Sequence, residues 1–221
     1  MRLLPKRPPR DVKELRRIQE EVARRAREED PGEVRKVAGV DVAYRGDRYR
    51  AAAVVTDLGC RELDRSVTEG ETSFPYVPGY LAFREGPPAL EALDGLEEGF
   101  DLLMVNGHGK AHPRRAGLAT HLGVVLDVPT VGVASKPLVG EPVGEPDEPG
   151  DWVPLVHEGE TVGALVLTRP GTRPLVVSPG HRCDLRSAVD LVLRTSWTGC
   201  GSTKWPEPLR LADALSKGRE V

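Results

Sequence analysis

Three things are scarce in this sequence: cysteine, long apolar runs and an excess of charge of one sign. The 221 residues include only Cys60, Cys183 and Cys200, an odd number, widely spaced and without a C-x-x-C pair. This pattern indicates neither a disulfide framework nor a structural zinc site. We therefore expect all three cysteines to be ordinary thiols.

The missing apolar runs and the weak net charge exclude further classes of protein. No stretch approaches the roughly 18 apolar residues that span a bilayer, and the N-terminal MRLLPKRPPR has no signal-peptide core. We expect a cytoplasmic protein without a membrane partner. A net charge of −3 argues against coating nucleic acid through bulk electrostatics. Local basic clusters remain, and within them Arg114 and Lys136 are candidate phosphate contacts.

The order of the predicted elements indicates the fold class. An amphipathic helix over 11–29 is followed by three strands joined by hairpins, over 34–44, 48–57 and 60–68. Helices over 79–97 and 115–126 then alternate with strands over 101–106 and 129–135. A Pro- and Gly-rich surface loop over 140–152 precedes a hairpin of strands over 161–169 and 174–180, and helices over 184–194 and 206–218.

Three antiparallel strands followed by alternating helix and strand is the chain order of the ribonuclease H-like fold. We expect an α/β protein whose mixed sheet continues into parallel strands, with helices on both faces. No linker is long enough to divide the chain, so residues 1–221 should form one domain.

Acidic residues in this order predict a metal site. Asp41 lies in the apolar strand VAGVDVAY, where an ionised carboxylate is costly unless it is paired or binds a metal. The first and fourth strands should be neighbours, which brings Asp41 to the strand end at Asn106. Glu85 and Asp213 lie on helices that can reach the same edge. Oxygen donors of this kind suit Mg²⁺ and phosphodiester hydrolysis.

Two long motifs resemble the endonuclease V family, the deoxyinosine-directed nucleases of DNA repair. They are FPYVPGYLAFRE, residues 74–85, and VNGHGKAHPRRAGLATHLGVVLDVPTVGVASKPL, residues 105–138. The resemblance extends from VAGVDVAY to PEPLRLADAL and implies Mg²⁺-dependent hydrolysis, with Mn²⁺ as a second candidate ion. It also implies nicking at the second phosphodiester 3′ to deoxyinosine, leaving 3′-hydroxyl and 5′-phosphate ends. Some members also cut inosine-containing RNA.

The resemblance implies roles for individual residues. Asp41, Glu85 and Asp213 match catalytic positions of the family, and Asp41 and Asn106 match its metal ligands. The implied wedge that parts the DNA at the lesion is Pro75, Tyr76, Val77 and Pro78; prolines stiffen such a loop so that a ring can fill the gap left by an extruded base. The implied base pocket is Gly79, Leu81, Gly107, His112 and Gly117. The expected partner is DNA carrying deoxyinosine or another deaminated or distorted site, bound by a monomer.

Two positions depart from the family pattern. The family has an aspartate where this chain has Asn106, and an amide offers Mg²⁺ an oxygen but no charge. The family usually has a lysine directly after VA, where this chain has Ser135 followed by Lys136. Two interpretations therefore stay open: an active nuclease with weakened metal affinity, and a non-catalytic protein that binds damaged nucleic acid.

Overall fold

A computed structural model describes residues 3–5, 8–9 and 11–220. The strands are β1 Lys36–Arg45, β2 Arg48–Asp57, β3 Glu62–Glu71, β4 Leu102–Asn106, β5 Thr130–Ala134, β6 Glu141–Pro142, β7 Trp152–His157, β8 Glu160–Val166 and β9 Leu175–His181. The helices are α1 Val12–Arg25, α2 Leu81–Asp94, α3 Leu118–Leu126, α4 Leu185–Thr195 and α5 Glu207–Ser216. No helix in these ranges is long and apolar enough to cross a membrane.

The nine strands form one sheet in the order β3-β2-β1-β4-β5-β9-β8-β7-β6. β1 pairs antiparallel with β2 and parallel with β4, and β4 pairs parallel with β5. The predicted mixed sheet, three antiparallel strands continued by parallel ones, is confirmed. Because β1, β4 and β5 are parallel, their carboxyl ends meet at one edge of the sheet, where ligands of open α/β sheets bind.

Helices cover both faces of the sheet, as predicted. On one face α2 and α3 pack against a cluster that includes Val40, Leu103 and Val105. On the other face α4 packs on the centre of the sheet and α5 packs on β1 and β2. A Cβ on Gly39 would lie 2.3 Å from the carbonyl carbon of Pro208, so this glycine lets α5 approach the backbone of β1.

Two features of secondary structure differ from the prediction. Helix α1 ends at Arg25 instead of 29, because the following segment bonds to β9: the Arg27 amide donates to His181 Nδ1 at 3.3 Å and the Arg182 amide donates to the Arg27 carbonyl at 2.7 Å. Strands β6 and β7 were not predicted: β6 lies in the segment interpreted as a surface loop, and residues 153–157 were assigned to no element. Pro154 lies near the sheet edge, where its carbonyl accepts from the Val143 amide at 2.9 Å.

The expectation of three ordinary thiols is wrong for two of them. Cys60, in the turn between β2 and β3, forms a disulfide with Cys200, in the segment after α4, across a sequence separation of 140 residues. Only Cys183 is free, and it is buried. Cys60 and Cys200 pair because distant loops meet at the same end of the sheet. The spacing of cysteines in the sequence does not predict such a pairing.

Candidate active site

The register of β1 and β4 places Asp41 beside Asn106. The pairing of Val40 with Val105 is the last in the parallel ladder, so the next residue of each strand lies at the sheet edge. Asp41 is 8% exposed, and its Oδ1 accepts a hydrogen bond from Asn106 Nδ2 at 2.6 Å. The two residues predicted to meet at this edge are therefore in direct contact, with the amide nitrogen turned towards the carboxylate.

The second oxygen of Asp41 has a partner that the sequence did not suggest. The buried Ser216, at the end of α5, donates its hydroxyl to Asp41 Oδ2 at 2.5 Å. Ser216 lies three residues after Asp213 and therefore on a neighbouring part of the helix surface. This spacing indicates that either Asp213 or Ser216 could face the strand, but the sequence does not show which of the two does.

Asp213 does not join this cluster. Its carboxylate forms ion pairs with Lys217 and, at 3.3 Å, with Arg219. Both cations lie just after the last residue of α5, so their ion pairs hold the Asp213 carboxylate towards the end of this helix. In this structure Asp213 is linked to Asp41 only indirectly, through Ser216. Its role as a catalytic residue stays a prediction.

Helix α2 brings Glu85 towards Asp41. Pro88 has no N–H to give to the carbonyl four residues earlier, and the Arg84 carbonyl accepts instead from the Tyr44 hydroxyl at 3.0 Å. This bond ties the first turns of α2 to β1, next to the acidic pair. Burial raises the pKa of Glu85 to about 8, and the charge of Asp41 adds to the rise.

The donors at this edge fit a hard dication. Asp41, Glu85 and the amide oxygen of Asn106 supply two carboxylates and one neutral oxygen, the ligand type that Mg²⁺ prefers. The pKa of Glu85 is raised first by burial and then by the charge of Asp41, and a bound cation would favour the ionised carboxylate. Within the described ranges no group of three or more His, Cys, Asp and Glu residues could hold a metal ion.

The predicted wedge is an exposed turn directly before α2. The Tyr80 amide donates to the Val77 carbonyl at 3.0 Å, with Pro78 and Gly79 (φ 78°) at the central positions, as a type II turn requires. Tyr76, directly before this turn, is 68% exposed. An exposed ring on a rigid turn is suited to contact a partner and contributes little to the core.

A cavity of about 130 Å³ lies behind the wedge. It holds roughly four water volumes and is smaller than the clefts that take drug-sized ligands. Its lining includes four of the five predicted pocket residues, Gly79, Leu81, His112 and Gly117. The fifth, Gly107, does not line it: its amide is held in the sheet by the Val133 carbonyl at 2.9 Å, and it packs behind Leu118.

Three side chains at this cavity donate hydrogen bonds to one carbonyl, that of Gly79. The Gly79 oxygen accepts from Gln19 Nε2 at 2.8 Å, from His112 Nε2 at 3.0 Å and from Arg114 Nη2 at 3.1 Å. His112 Nδ1 accepts from the Arg114 amide, which fixes the tautomer with the proton on Nε2. Burial lowers the pKa of His112 to about 4, so the ring is neutral at pH 7.

Gln19 is a site residue that the sequence analysis missed. It is fully buried on α1, lines the cavity and also accepts a hydrogen bond from Arg114 Nε. A polar residue on the buried face of an amphipathic helix needs a partner, and this was the signal that could have found it. Helix α1 is therefore part of the pocket wall.

The two predicted phosphate contacts have different surroundings. The Arg114 guanidinium bonds to Gln19 and Gly79 and lies 4.7 Å from the centre of the Tyr80 ring, so it braces the pocket. Lys136 is exposed, and only its carbonyl is engaged, by His108 Nε2 at 2.9 Å. Its ammonium forms no ion pair with the residues described, which leaves it available to a phosphate.

Comparison with known proteins gives the family of this chain. The family model for Endonuclease V matches residues 16–214. The chain belongs to the endonuclease V family. Endonuclease V of Methanopyrus kandleri is 63% identical over 201 residues, which is 90% of this chain and 85% of the relative. The family consists of metal-dependent nucleases.

Solved structures of the family share the fold. Endonuclease V from Streptomyces avermitilis is 40% identical, covers 97% of this chain and 95% of its own, and superposes with a TM-score of 0.89. Ciona intestinalis endonuclease V, solved with a 24mer DNA containing an inosine followed by a ribo-adenosine, is 27% identical with a TM-score of 0.81, covering 94% of this chain and 96% of its own. The predicted ribonuclease H-like fold is confirmed.

Proposed function

We propose that this protein is a Mg²⁺-dependent endonuclease that recognises deoxyinosine in DNA and hydrolyses the second phosphodiester bond 3′ to the lesion. The observation that carries the proposal is the adjacency of two sites. The Asp41–Asn106 pair and Glu85 lie at the same sheet edge as a base-sized cavity whose entrance is the wedge. The Ciona relative was solved with inosine-containing DNA, which supports the same partner for this chain.

In this proposal the lesion base enters the cavity and Tyr76 fills the gap that it leaves in the stack. The neutral His112 lines the cavity without adding charge, and its two ring nitrogens, bonded to the Arg114 amide and the Gly79 carbonyl, hold the cavity wall in place. We assign a phosphate contact to Lys136, which is exposed and whose carbonyl bonds to the cavity-lining His108. Recognition then depends on shape and on hydrogen bonds to the base edge, as in other enzymes that extrude a base.

The chemistry would take place at Asp41, Asn106 and Glu85. Mg²⁺, when bound there, would supply activation of the attacking water and stabilisation of the developing charge. Glu85 would be the proton acceptor at this edge, because a bound cation would favour its ionised form over the protonated form of the metal-free site. Ser216 orients Asp41 by holding one of its oxygens. Mn²⁺ prefers similar oxygen ligands and is the second candidate ion.

A second candidate function rests on Asn106. Its amide nitrogen faces Asp41, so the amide must rotate to turn its oxygen towards a metal, and this rotation breaks the hydrogen bond to Asp41. This favours weak metal binding and leaves room for a protein that recognises inosine without cutting. Inosine-containing RNA is a further candidate substrate, since the DNA in the Ciona complex carries a ribo-adenosine after the inosine.

An end-labelled duplex with one deoxyinosine tests the proposal. We expect a single nick at the second phosphodiester 3′ to the lesion, dependent on added Mg²⁺ or Mn²⁺ and abolished in Asp41→Asn. A matched duplex with deoxyadenosine is the control. Tight, selective binding without a nick at any metal concentration would favour the non-catalytic function, and equal binding to both duplexes would contradict both candidates.

A further inference from the structure

A basic cleft adjoins the acidic pair on the side away from the base cavity. It has a volume of about 670 Å³ and lies between the β1–β2 hairpin and the end of α5. Its charged lining residues are Arg45, Arg48, Arg50, Lys217 and Glu69. Ser216, which donates to Asp41, also lines the cleft, so the cleft adjoins the candidate active site.

Strand register shows how the cleft continues from Asp41. In the β1–β2 ladder Ala43 faces Arg50, and Arg45 faces Arg48 across the two-residue turn. Side chains alternate along a strand, so Asp41, Ala43 and Arg45 share one face. At about 3.3 Å per residue, Arg45 lies roughly 13 Å beyond Asp41. β1 extends past the end of β4, so this part of the hairpin overhangs the sheet edge.

Two of the cations in the cleft are already paired. Arg50 forms an ion pair with Glu69 at 2.7 Å and donates to the Leu215 carbonyl at 2.9 Å. Lys217 pairs with Asp213. These groups form part of the wall of the cleft. Because a carboxylate balances the charge of each, they attract a ligand only weakly.

Arg45 and Arg48 are different. Both are exposed and stand opposite each other in the antiparallel ladder, where like charges are destabilising. Neither guanidinium forms an ion pair with any carboxylate of the described residues, although Asp47 lies between them in the turn and Glu71 is opposite Arg48 on β3. Two facing cations without a counter-ion indicate a site that an anion would stabilise.

We propose that Arg45 and Arg48 bind the phosphate backbone of the cleaved strand on the 3′ side of the cut. The inference rests on the proposed function. Across the sheet edge the order is the cavity near β4 and β5, then Asp41 with Asn106, then the cleft on β1 and β2. A strand with its lesion base in the cavity and its cut 3′ to the lesion must continue past Asp41 into the cleft. A B-form duplex rises about 3.4 Å per nucleotide along its axis, so 13 Å along that axis corresponds to about four nucleotides beyond the cut.

The test measures binding of inosine duplexes in EDTA by fluorescence anisotropy across a NaCl titration. The variant is Arg45→Ala/Arg48→Ala, and the charge-matched control is Arg169→Ala/Arg173→Ala, two exposed arginines between β8 and β9. Removing one cation that binds a phosphate should reduce the slope of log affinity against log salt by about 1. We expect a reduction of about 2 for the cleft variant and no change for the control.

Trimmed duplexes locate the position of the bound phosphates. Shortening the inosine strand and its complement to two nucleotides beyond the cut should weaken binding by the parent and leave the cleft variant unaffected. An equal shortening on the 5′ side should affect both proteins alike. Melting temperatures provide the folding check: the cleft variant should melt no lower than the parent, because the substitutions remove a repulsion.

The outcomes separate this inference from the proposed function. A parent that prefers the inosine duplex, together with an unchanged salt slope or equal sensitivity to 3′ trimming in the cleft variant, would overturn the cleft assignment alone. A parent that binds inosine and adenosine duplexes equally would overturn the proposed function, and the cleft assignment with it.

Discussion

The substitution Asn106→Asp tests the metal site most directly. In the parent, Asn106 donates to Asp41 at 2.6 Å, a hydrogen bond to a charged group that typically contributes about 1.5 to 3 kcal/mol. An aspartate at 106 removes this donor and places two carboxylates in contact. For a chain of this size the melting temperature falls by about 2 to 4 °C per kcal/mol, so we expect a decrease of about 3 to 12 °C in EDTA at pH 7.

The decrease should depend on pH and on metal. Two carboxylates in contact share a proton at acidic pH, which restores a hydrogen bond, so the decrease should shrink at pH 5. Mg²⁺ at 100 times its dissociation constant stabilises the folded state by about 2.7 kcal/mol, which is enough to offset most of the destabilisation. Because the variant also gains a charged ligand, it should nick the inosine duplex at lower Mg²⁺ than the parent.

The assay follows melting temperature and nicking across a Mg²⁺ titration for the parent, Asn106→Asp and Asn106→Ala. The alanine variant removes the hydrogen bond and the amide oxygen without adding charge, so it should need more Mg²⁺ than the parent. If all three proteins show the same Mg²⁺ dependence in both assays, Asn106 is not a metal ligand, and the amide serves only to hold Asp41.

Four other experiments test the wedge, the pocket, the buried acid and the disulfide. Tyr76→Ala should weaken inosine binding by about 1 to 3 kcal/mol, the range of base–aromatic stacking, at unchanged melting temperature, while Tyr76→Phe retains binding. Gln19→Leu, measured by the ratio of inosine to adenosine affinity, should lose selectivity while undamaged DNA binds as before. In EDTA the parent should lose stability as pH rises from about 4.5 towards 8, because the raised pKa of Glu85 stabilises the fold only while the carboxyl is protonated; thermal melts of Glu85→Gln should lack this loss. Cys60→Ser/Cys200→Ser should lower the free energy of unfolding by about 2 to 5 kcal/mol in denaturant titrations, and a reductant should then have no further effect.

The sequence was sufficient to predict the contact between Asp41 and Asn106. Strand order determines which strands are neighbours, and a buried carboxylate in an apolar strand marks where a partner is needed. The exposed tyrosine between two prolines could also be predicted from the sequence, because the rigidity of a turn depends on the residues within it. These features need only local sequence and the order of the strands.

Other features of the site and fold depend on contacts between residues far apart in the sequence, which no local pattern predicts. Ser216 reaches Asp41 instead of Asp213 because of the rotation of α5 about its own axis, which the packing against Gly39 and β2 decides. The disulfide joins residues 140 positions apart. Gln19 acquires its role from a glycine carbonyl 60 residues away. In each case the partner is specified by the assembled sheet.

The amide at Asn106 carries a physical consequence for how this protein tolerates the absence of metal. A second carboxylate at this strand end would face Asp41 at hydrogen-bond distance while Glu85 already has a raised pKa, so the metal-free protein would hold three acids in one half-buried place. The amide replaces one repulsion with a hydrogen bond and so stabilises the fold without metal. The same exchange removes one charge that would attract Mg²⁺. Stability without metal and affinity for metal therefore oppose each other at this one position. The wedge, the cavity and the basic cleft, to which we assign the binding of nucleic acid, do not depend on it.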